Sequence, residues 1–366
     1  MRTWAIAYLR CPHCRSRLEL ADAPARAGDD GEAAILRCVG KSCRLWYPVM
    51  RGVPRLLTGS LRDAAIRDFR RDHPDLVREL EPEEPSPARP DRLHELKRST
   101  IERFGFEWTE YARFGWDDPV YDAQRERAVF LRKSLLREVD LRGKLVLDAG
   151  SGNGRYSSWA ARLGGRVFAV DLGDGVDPAA ANTRDEEAIQ VVQADIFALP
   201  FDVGTFDVIF SIGVLMHTGD ARRAVESLAG VLAPGGSLSV HVYGQGNALY
   251  EAVDRALRAR TTKRSIPELL RFTERLYRLR RWLERLGLAG VVGRFVRLDP
   301  HPHCIFDWYA APVATHHTYP EVLRWFEEMG LRVVATNQPP APSGLRRAIR
   351  PVVGAAATVT VRGVPA

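Results

Sequence analysis

The period of the hydrophobic positions changes repeatedly between residue 95 and the end of the chain. Short, continuously apolar runs, which are typical of buried strands, alternate with stretches whose apolar residues recur every three or four positions, as on one face of a helix. This alternation predicts an α/β fold with a largely parallel sheet and helices on both of its faces. The predicted strands are 144–149, 166–170, 189–192, 206–210, 237–243, 331–335 and 358–362, and the predicted helices are 156–163, 221–232 and 320–329.

Three other segments depart from this alternation. Residues 1–58 hold four of the five cysteines and form a first predicted domain. Residues 59–95 combine a helical segment with a linker at 81–90, whose four prolines exclude both helix and sheet pairing. A second predicted domain covers 96–366. Within it, 248–319 is far longer than a usual connection between a strand and a helix, and its helical spacing predicts a cap inserted into the α/β fold.

A glycine loop follows the first predicted strand of the α/β region. Gly150, Gly152 and Gly154 alternate just after Asp148, between that strand and a predicted helix. Glycines in this position allow a tight turn and let the backbone approach a ligand closely at the start of the helix. Asp171 ends the next strand, where its carboxylate can accept both hydroxyls of a ribose. The spacing differs from the dinucleotide-binding pattern, and a purely structural turn is the alternative.

Further blocks follow along the chain. They are Val170-Asp171; Gln193-Ala194-Asp195-Ile196, followed by Leu199-Pro200-Phe201; Thr205-Phe206-Asp207-Val208-Ile209-Phe210-Ser211; and Leu232-Ala233-Pro234-Gly235-Gly236. Together with the glycine loop, these blocks between 144 and 243 resemble the class I S-adenosylmethionine-dependent methyltransferase family. The resemblance implies a Rossmann-like class I methyltransferase sheet, S-adenosyl-L-methionine as cofactor, and transfer of its methyl group to an acceptor.

The resemblance also implies roles for individual residues. The three glycines would pass beneath the methionine and ribose of the cofactor, and Asp148 would orient the loop and the methionine amino group. Asp171 would hold the ribose, while Asp195 and Ile196 would contact the adenine. The full set of implied cofactor-binding residues is Asp148, Gly150, Gly152, Gly154, Asp171, Asp195, Ile196 and Ser211.

A histidine after the fourth predicted strand is a candidate general base. Related methyltransferases often have Leu-His-His-Thr at this point, and this chain has Leu215-Met216-His217-Thr218. Met216 replaces the first histidine of that pair, which puts any role carried by that position in doubt. His217 remains, and the near-neutral reference pKa of histidine suits proton removal. The alternative is a packed, hydrogen-bonded residue at the start of a helix.

The walls of the acceptor pocket are predicted from two segments. The stretch from Asp307 to Phe326 resembles the C-terminal segment of small-molecule methyltransferases from biosynthetic pathways. Candidate pocket residues are His303, Asp307, His316 and His317, of which the last two are also catalytic candidates; each could instead be a cap or loop residue. The aromatic-rich segment Phe104–Trp116 predicts a helix or lid over the cofactor, with Trp108 and Tyr111 touching the ligand.

The cysteines near the N-terminus have metal-ligand spacing. They form two pairs, Cys11 with Cys14 and Cys38 with Cys43, and each pair can offer two thiolates to one tetrahedral zinc ion. The second pair is more widely spaced than usual, which makes Cys43 the least certain ligand and His13 a conceivable substitute. Residues 8–58 resemble the small zinc-ribbon family that includes activator subunits of tRNA methyltransferases. We expect a structural zinc site; a reduced, metal-free cluster is the alternative.

The net charge of +7 arises locally. Residues 250–297 contain 13 Lys and Arg against five Asp and Glu, a surplus larger than that of the whole chain. These arginines either face solvent on the cap or form a face that binds an anionic substrate. Because the charge is confined to one insertion, it is weak evidence for nucleic acid.

These observations favour an S-adenosylmethionine-dependent methyltransferase that acts on a small molecule, which can be anionic, in a biosynthetic (secondary-metabolite) pathway. An RNA base methyltransferase is the alternative, but the Asn-Pro-Pro-Tyr type motif is replaced by Ser211-Ile212-Gly213-Val214. A non-catalytic zinc-ribbon regulatory protein is a third hypothesis. No stretch approaches the roughly 18 apolar residues of a transmembrane helix, so we expect a cytoplasmic protein without a membrane partner. The sequence does not predict the acceptor, the methylated atom or the oligomeric state.

Overall fold

The computed structural model describes residues 1–21, 33–78, 80, 92–116, 123–338 and 358–366. The predicted linker at 81–90 lies outside these residues. The strands are β1 (Leu18–Leu20), β2 (Ala34–Cys38), β3 (Trp46–Met50), β4 (Val53–Leu56), β5 (Leu145–Ala149), β6 (Arg166–Asp171), β7 (Ile189–Ala194), β8 (Phe206–Ile212), β9 (Leu232–Tyr243), β10 (Leu331–Thr336) and β11 (Thr358–Pro365). The helices are α1 (Gly59–Asp72), α2 (Arg92–Glu110), α3 (Ala123–Ser134), α4 (Arg155–Arg162), α5 (Val176–Asn182), α6 (Ala221–Gly230), α7 (Ala248–Thr261), α8 (Ile266–Arg285), α9 (Ala289–Val292), α10 (Pro302–Ala310) and α11 (Tyr319–Glu328).

The C-terminal α/β domain is built on the strand order β7-β6-β5-β8-β9-β11-β10. The first five of these strands are parallel, and β11 runs antiparallel to both β9 and β10. Their continuous apolar runs are buried because helices cover both faces of the sheet; all six residues of β7, for example, are buried. The predicted α/β fold is confirmed. Since β5, β6, β7 and β8 are parallel, their carboxyl ends meet at one edge, where such sheets bind ligands.

The predicted strands agree with the structure to within a few residues, with one larger difference. The fifth strand of this domain, β9, begins at Leu232 rather than at 237, and α6 ends at Gly230 rather than at 232. The backbone N–H of Phe206 donates to the carbonyl oxygen of Val231 over 3.0 Å. Leu232 is therefore drawn into the sheet opposite Phe206, and the Pro-Gly-Gly turn lies inside the strand as an irregularity in the pairing.

The ribbon at the N-terminus extends the same sheet. Strands β1 to β4 pair antiparallel with one another, and β4 then pairs parallel with β7, with Leu56 opposite Ala194. Trp4 and Tyr8 pack edge-on against Phe168 of β6, at ring-centroid distances of 5.0 and 5.9 Å. One hydrophobic core therefore runs from the ribbon into the α/β domain.

The predicted insertion at 248–319 is helical, as expected. Helices α7, α8, α9 and α10 form a cap with its own small core around Tyr250, Ile305, Trp308 and Tyr309. Helix α10 packs on both α8 and α2. Helix α2 is thereby held above the carboxyl ends of the parallel strands, where it forms the roof of a cleft.

Candidate functional site

A cleft opens at the carboxyl ends of β5, β6, β7 and β8, beneath α2. It leaves about 970 Å³ unfilled by protein atoms, part of which is open to solvent. The strand ends supply its floor and α2 supplies its roof. The residues that contribute most to the argument are Thr100, Phe104 and Trp108 of α2, Gly150, Asp171, Asp195, Ile196, His217 and Asp307.

The glycine loop and Asp171 form one hydrogen-bonded unit. The two carboxylate oxygens of Asp171 accept the backbone N–H groups of Gly152 and Gly173, each over 2.9 Å. Burial raises the pKa of the Asp171 carboxyl, and these N–H donors oppose the rise. A carboxylate offers about four acceptor sites, so Asp171 can still accept a hydroxyl from the cleft. The unit is preorganised to hold a ribose.

Backbone conformation explains why the loop uses glycine. Gly150 and Gly152 have φ angles of +91° and +53°, which L residues with side chains rarely adopt. A Cβ at Gly150 would lie 2.2 Å from Cγ2 of Val214, and one at Gly152 would lie 2.7 Å from Cε2 of Trp108. The loop must therefore stay free of side chains for the roof and the floor of the cleft to approach each other.

The predicted adenine side of the cleft is also in place. Asp195 and Ile196 follow β7 and line the cleft. One oxygen of Asp195 accepts the N–H of Phe197 over 2.9 Å, and the other pairs with the ammonium of Lys97 from α2. Lys97 was not singled out from the sequence, because nothing in the local pattern of α2 points across 98 residues to Asp195. A contact between Asp195 and adenine stays a prediction.

Four predicted cofactor residues do not line the cleft: Gly152, whose N–H is held by Asp171, and Asp148, Gly154 and Ser211. The Ser157 hydroxyl donates to Asp148 over 2.6 Å, and burial raises the pKa of Asp148 to about 7. Gly154 begins α4 with a φ of +83°. The Ser211 hydroxyl donates to the carbonyl oxygen of Ala149 over 2.7 Å, which ties β8 to β5. Asp148, Gly154 and Ser211 thus hold the floor together, and contact of any of them with the cofactor stays a prediction.

His217 lines the cleft and has one free ring nitrogen. Its Nδ1 lies 2.7 Å from the carbonyl oxygen of Val313. A carbonyl can only accept, so Nδ1 carries the proton and Nε2 keeps its lone pair. Nε2 is buried and has no hydrogen-bond partner among the described residues. Burial lowers the pKa of His217 to about 4, so the ring is neutral near pH 7.

The other two catalytic candidates lie outside this cleft. His317 hydrogen-bonds through both ring nitrogens, to Glu321 over 2.9 Å and to Thr315 over 2.7 Å, so neither is free to act. His316 hydrogen-bonds to Glu251 over 2.7 Å and faces a separate cavity. Nε2 of His316 has no hydrogen-bond partner among the described residues, and catalytic roles for His316 and His317 stay predictions.

The residues predicted to line an acceptor pocket are only partly brought to this cleft. Asp307 lines the cleft and accepts the hydroxyl of Tyr243 over 3.1 Å. His303 does not reach the cleft; it lies 2.8 Å from Glu107, behind α2. Trp108 lines the cleft as expected, whereas Tyr111 packs against Phe306 of the cap instead. Sequence reasoning missed Thr100, whose buried hydroxyl also lines the cleft without a hydrogen-bond partner among the described residues.

The four N-terminal cysteines converge, as predicted. The Sγ atoms of Cys11, Cys14, Cys38 and Cys43 all lie within 4.8 Å of one another, and none is in a disulfide. Tetrahedral zinc with Zn–S bonds of about 2.3 Å requires sulfur atoms a little under 4 Å apart. The cluster can therefore hold one metal ion, and it includes Cys43, the least certain of the four. Tyr47 supports it through a contact of 3.2 Å between its hydroxyl and Cys11.

Comparison with known proteins assigns the α/β region. Residues 147–240 match the family described as "Methyltransferase domain". Over these residues the chain is similar to methyltransferase domains. This match covers the glycine loop, the acidic ends of β6 and β7, and His217. The residues of the cleft fit S-adenosylmethionine, since an acid poised for ribose, a side-chain-free loop and an apolar floor occur together.

Several curated relatives share the methyltransferase domain. A ubiquinone biosynthesis O-methyltransferase of Coxiella burnetii is 32% identical over 108 residues, which cover 29% of this chain and 46% of that protein. A tRNA U34 carboxymethyltransferase of Pseudoalteromonas translucida is 29% identical over 163 residues, covering 41% of this chain and 46% of that protein. The chain thus spans a little under half the length of the relatives it matches.

A solved structure also aligns with this chain. The magnesium protoporphyrin IX methyltransferase of Synechocystis PCC 6803, with S-adenosylhomocysteine bound, aligns over 74% of this chain and 100% of that one, with 16% identity and a TM-score of 0.44. Separately, none of the described helices of this chain is long and apolar enough to cross a membrane.

Proposed function

We propose that the chain transfers a methyl group from S-adenosylmethionine to a small-molecule acceptor. The observation that carries this proposal is the Asp171 unit, a half-buried carboxylate held by the N–H groups of Gly152 and Gly173 at the floor of a cleft. Such an acid at the end of the second strand of the α/β domain suits a ribose. The methyltransferase domain match supports the same activity.

The residues of the chain would act mainly by positioning. S-adenosylmethionine supplies a methyl carbon made electrophilic by its bond to a sulfonium. Asp171 would bind the ribose, and the glycine loop would pass beneath the methionine portion. Trp108 and Phe104 of the roof would exclude water from the transfer site. In-line placement of an acceptor can supply much of the rate enhancement in such a reaction.

His217 would remove the proton of an acceptor hydroxyl. Its Nδ1–H is committed to Val313, which leaves the lone pair of Nε2 available. The ring lies between Phe104 and Tyr243, at centroid distances of 5.1 and 5.4 Å. This apolar setting keeps the imidazole neutral at pH 7, so its lone pair is available, but the same burial lowers its basicity.

The acceptor side of the cleft favours a neutral donor of hydrogen bonds over an anion. Among the described lining residues, none is an arginine, and the single lysine, Lys97, is paired with Asp195. Asp307 and His217 both offer acceptor atoms, and Phe104 and Trp108 offer aromatic faces. A flat compound with a free hydroxyl suits these groups better than the anionic acceptor that the cap arginines allowed.

We further propose that the four cysteine thiolates hold one structural zinc ion. All four positions of a tetrahedral site are filled by Cys11, Cys14, Cys38 and Cys43, so no position is open for a reacting ligand. None of these cysteines lines the cleft. The metal would therefore stabilise the ribbon and take no part in methyl transfer.

Isothermal calorimetry with S-adenosylmethionine tests the proposed function. Wild type should bind, and Asp171→Ala should bind at least about 100-fold more weakly, because it loses two charge-assisted hydrogen bonds to the ribose. Asp185→Ala is the matched control, since Asp185 is exposed and lies outside the cleft. No binding by wild type, or equal binding by Asp171→Ala, would refute the methyltransferase activity. Tight tRNA binding with a steep salt dependence would instead favour an RNA acceptor.

A further inference from the structure

A patch of exposed apolar side chains lies at the carboxyl end of α8 and on the segment that includes α9. Eleven large hydrophobic residues are exposed among the described residues, and five of them lie between 279 and 291. They are Leu279, Trp282, Leu286, Leu288 and Val291, and we call them the α8–α9 patch. Within this patch, Trp282 has the most exposed side chain, at 55%. Soluble proteins usually scatter such residues singly, so this concentration calls for an explanation.

The patch is not the surface that holds α8 in the fold. Leu269, Thr273 and Leu283 are the buried residues of α8, and Leu269 packs against Phe306 of α10. Leu279, Trp282 and Leu286 recur at three- and four-residue intervals and therefore share a different side of the helix. That side is left uncovered by the described part of the chain.

Arginines surround the same side of α8. The exposed ones are Arg271, Arg275, Arg278, Arg281 and Arg285. Arg278 pairs with Glu274 over 2.8 Å, whereas the other four have no ion pair with a described residue. None of the arginines of α8 lines the cofactor cleft. The positive surplus seen in the sequence is therefore presented to the outside, next to apolar side chains.

This combination selects one kind of partner. A second copy of the chain would place these arginines opposite each other across a two-fold axis, and like charges oppose such an interface. A nucleic acid would account for the arginines but not for four aliphatic side chains. A lipid surface accounts for both, because acyl chains accept Leu and Trp while anionic headgroups accept Arg.

We propose that the α8–α9 patch is a peripheral docking site for an anionic lipid surface. The expectation of no membrane partner rested on the lack of a spanning segment, whereas peripheral binding needs only one apolar face flanked by basic residues. The proposal does not depend on methyl transfer, since the patch and the cleft share no residue.

Flotation of the full chain with lipid vesicles tests this proposal. Vesicles with about 30% phosphatidylglycerol in phosphatidylcholine should capture the protein, and pure phosphatidylcholine should capture much less. The double variant Trp282→Ser/Leu286→Ser should weaken binding at least about tenfold, and the triple variant Arg275→Glu/Arg281→Glu/Arg285→Glu by roughly 100-fold. Raising the salt from about 0.1 to 0.5 M should also release the protein.

Matched controls separate the patch from general surface effects. Val139→Ser/Val203→Ser removes two other exposed apolar side chains, and Arg142→Glu/Arg324→Glu/Arg332→Glu reverses three exposed arginines elsewhere. Both controls should bind like wild type. Circular dichroism confirms that each variant is folded. The proposal is wrong if wild type ignores anionic vesicles, if the controls weaken binding as much as the patch variants, or if Trp282→Ser/Leu286→Ser instead abolishes dimerisation or capture of an acidic protein. Calorimetry with S-adenosylmethionine reports on the methyltransferase activity independently of each of these results.

Discussion

The ribbon and the methyltransferase sheet are joined edge to edge, yet they are stabilised by different means. The ribbon strands are three to five residues long and converge on four thiols. The methyltransferase strands reach up to 12 residues and bury apolar side chains on both faces. The parallel pairing of β4 with β7 makes one sheet of the two regions. A small region with little hydrophobic core of its own can therefore be stabilised by a metal site and by pairing with a neighbouring sheet.

Loss of the metal should have the largest effect, and it should be confined to the ribbon. In Cys43→Ser we expect amide protons of β1, β2 and β3 to lose most of their protection from exchange, while β5 and β8 keep theirs. The reason is that zinc binding supplies roughly 10 kcal/mol of apparent free energy in small zinc domains. Hydrogen exchange with mass spectrometry measures this loss of protection. Metal analysis should show close to one zinc per chain in wild type and much less in Cys43→Ser.

Cys304→Ser is the matched control for that experiment, because Cys304 lies in α10, outside the cluster. It should retain zinc and ribbon protection. Equal loss of protection in β5 would mean that the two regions cannot be distinguished in stability, and unchanged protection of the ribbon in Cys43→Ser would remove the structural role of the metal.

Lowering the pH should change the free energy of unfolding through the titration of His217, which lies in the α/β domain. The pKa of His217 is about 4 in the folded chain and about 6.5 when exposed, so the unfolded chain binds the proton first. Stability from the neutral ring is present above pH 6.5 and is lost as the pH falls towards 4. Relative to His217→Asn, wild type should lose roughly 2 kcal/mol of unfolding free energy between pH 7 and pH 5.

Urea denaturation at the two pH values measures this difference. Both proteins carry the same cysteines, so any loss of metal from the ribbon at pH 5 cancels in the comparison. A wild-type loss equal to that of His217→Asn would contradict the buried, neutral state of His217 and weaken its assignment as a base.

Disruption of the aromatic contact between the ribbon and the α/β domain should have the smallest effect on stability. Trp4 contacts Phe168 edge-on at 5.0 Å and donates from Nε1 to the carbonyl oxygen of Glu187 over 3.0 Å. In a double-mutant cycle of Trp4→Ala and Phe168→Leu, we expect a coupling free energy of about 1 kcal/mol, which is typical of aromatic pairs. Urea denaturation of the four proteins gives this value.

A cycle of Tyr8→Ala with Phe210→Leu is the control, since Phe210 packs against Phe130 rather than against the ribbon. Its coupling should be close to zero. Coupling that is absent in the first cycle, or equal in both, would show that the aromatic contact does not link the two regions.

The parts of the fold that could be predicted are those with local signals. The apolar runs located β5 to β11, and the glycine loop with Asp171 located the floor of the cleft, because strand, turn and acid lie close together in the sequence. The spacing of Cys11, Cys14 and Cys38 likewise predicted convergence at one point.

The parts that could not be predicted depend on distant residues. The pairing of β4 with β7 joins positions more than 130 residues apart, and no period in either strand specifies it. Thr100 and Lys97 reach the cleft only because α10 holds α2 above it. His316 and His317 resembled pocket residues in the sequence, but they lie outside this cleft and hydrogen-bond to Glu251 and Glu321, and such partners are visible only in three dimensions.

The parallel pairing of β4 with β7 also has a consequence for solubility. Strand β7 would otherwise end the sheet, with a row of open backbone donors and acceptors, and Phe168 beside it would lose its aromatic cover from Trp4 and Tyr8. Open strand edges of this kind recruit other chains and lead to aggregation. Because β4 pairs with β7 at this edge, the ribbon protects the α/β domain against self-association. A variant that lacks residues 1–58 would leave the edge exposed.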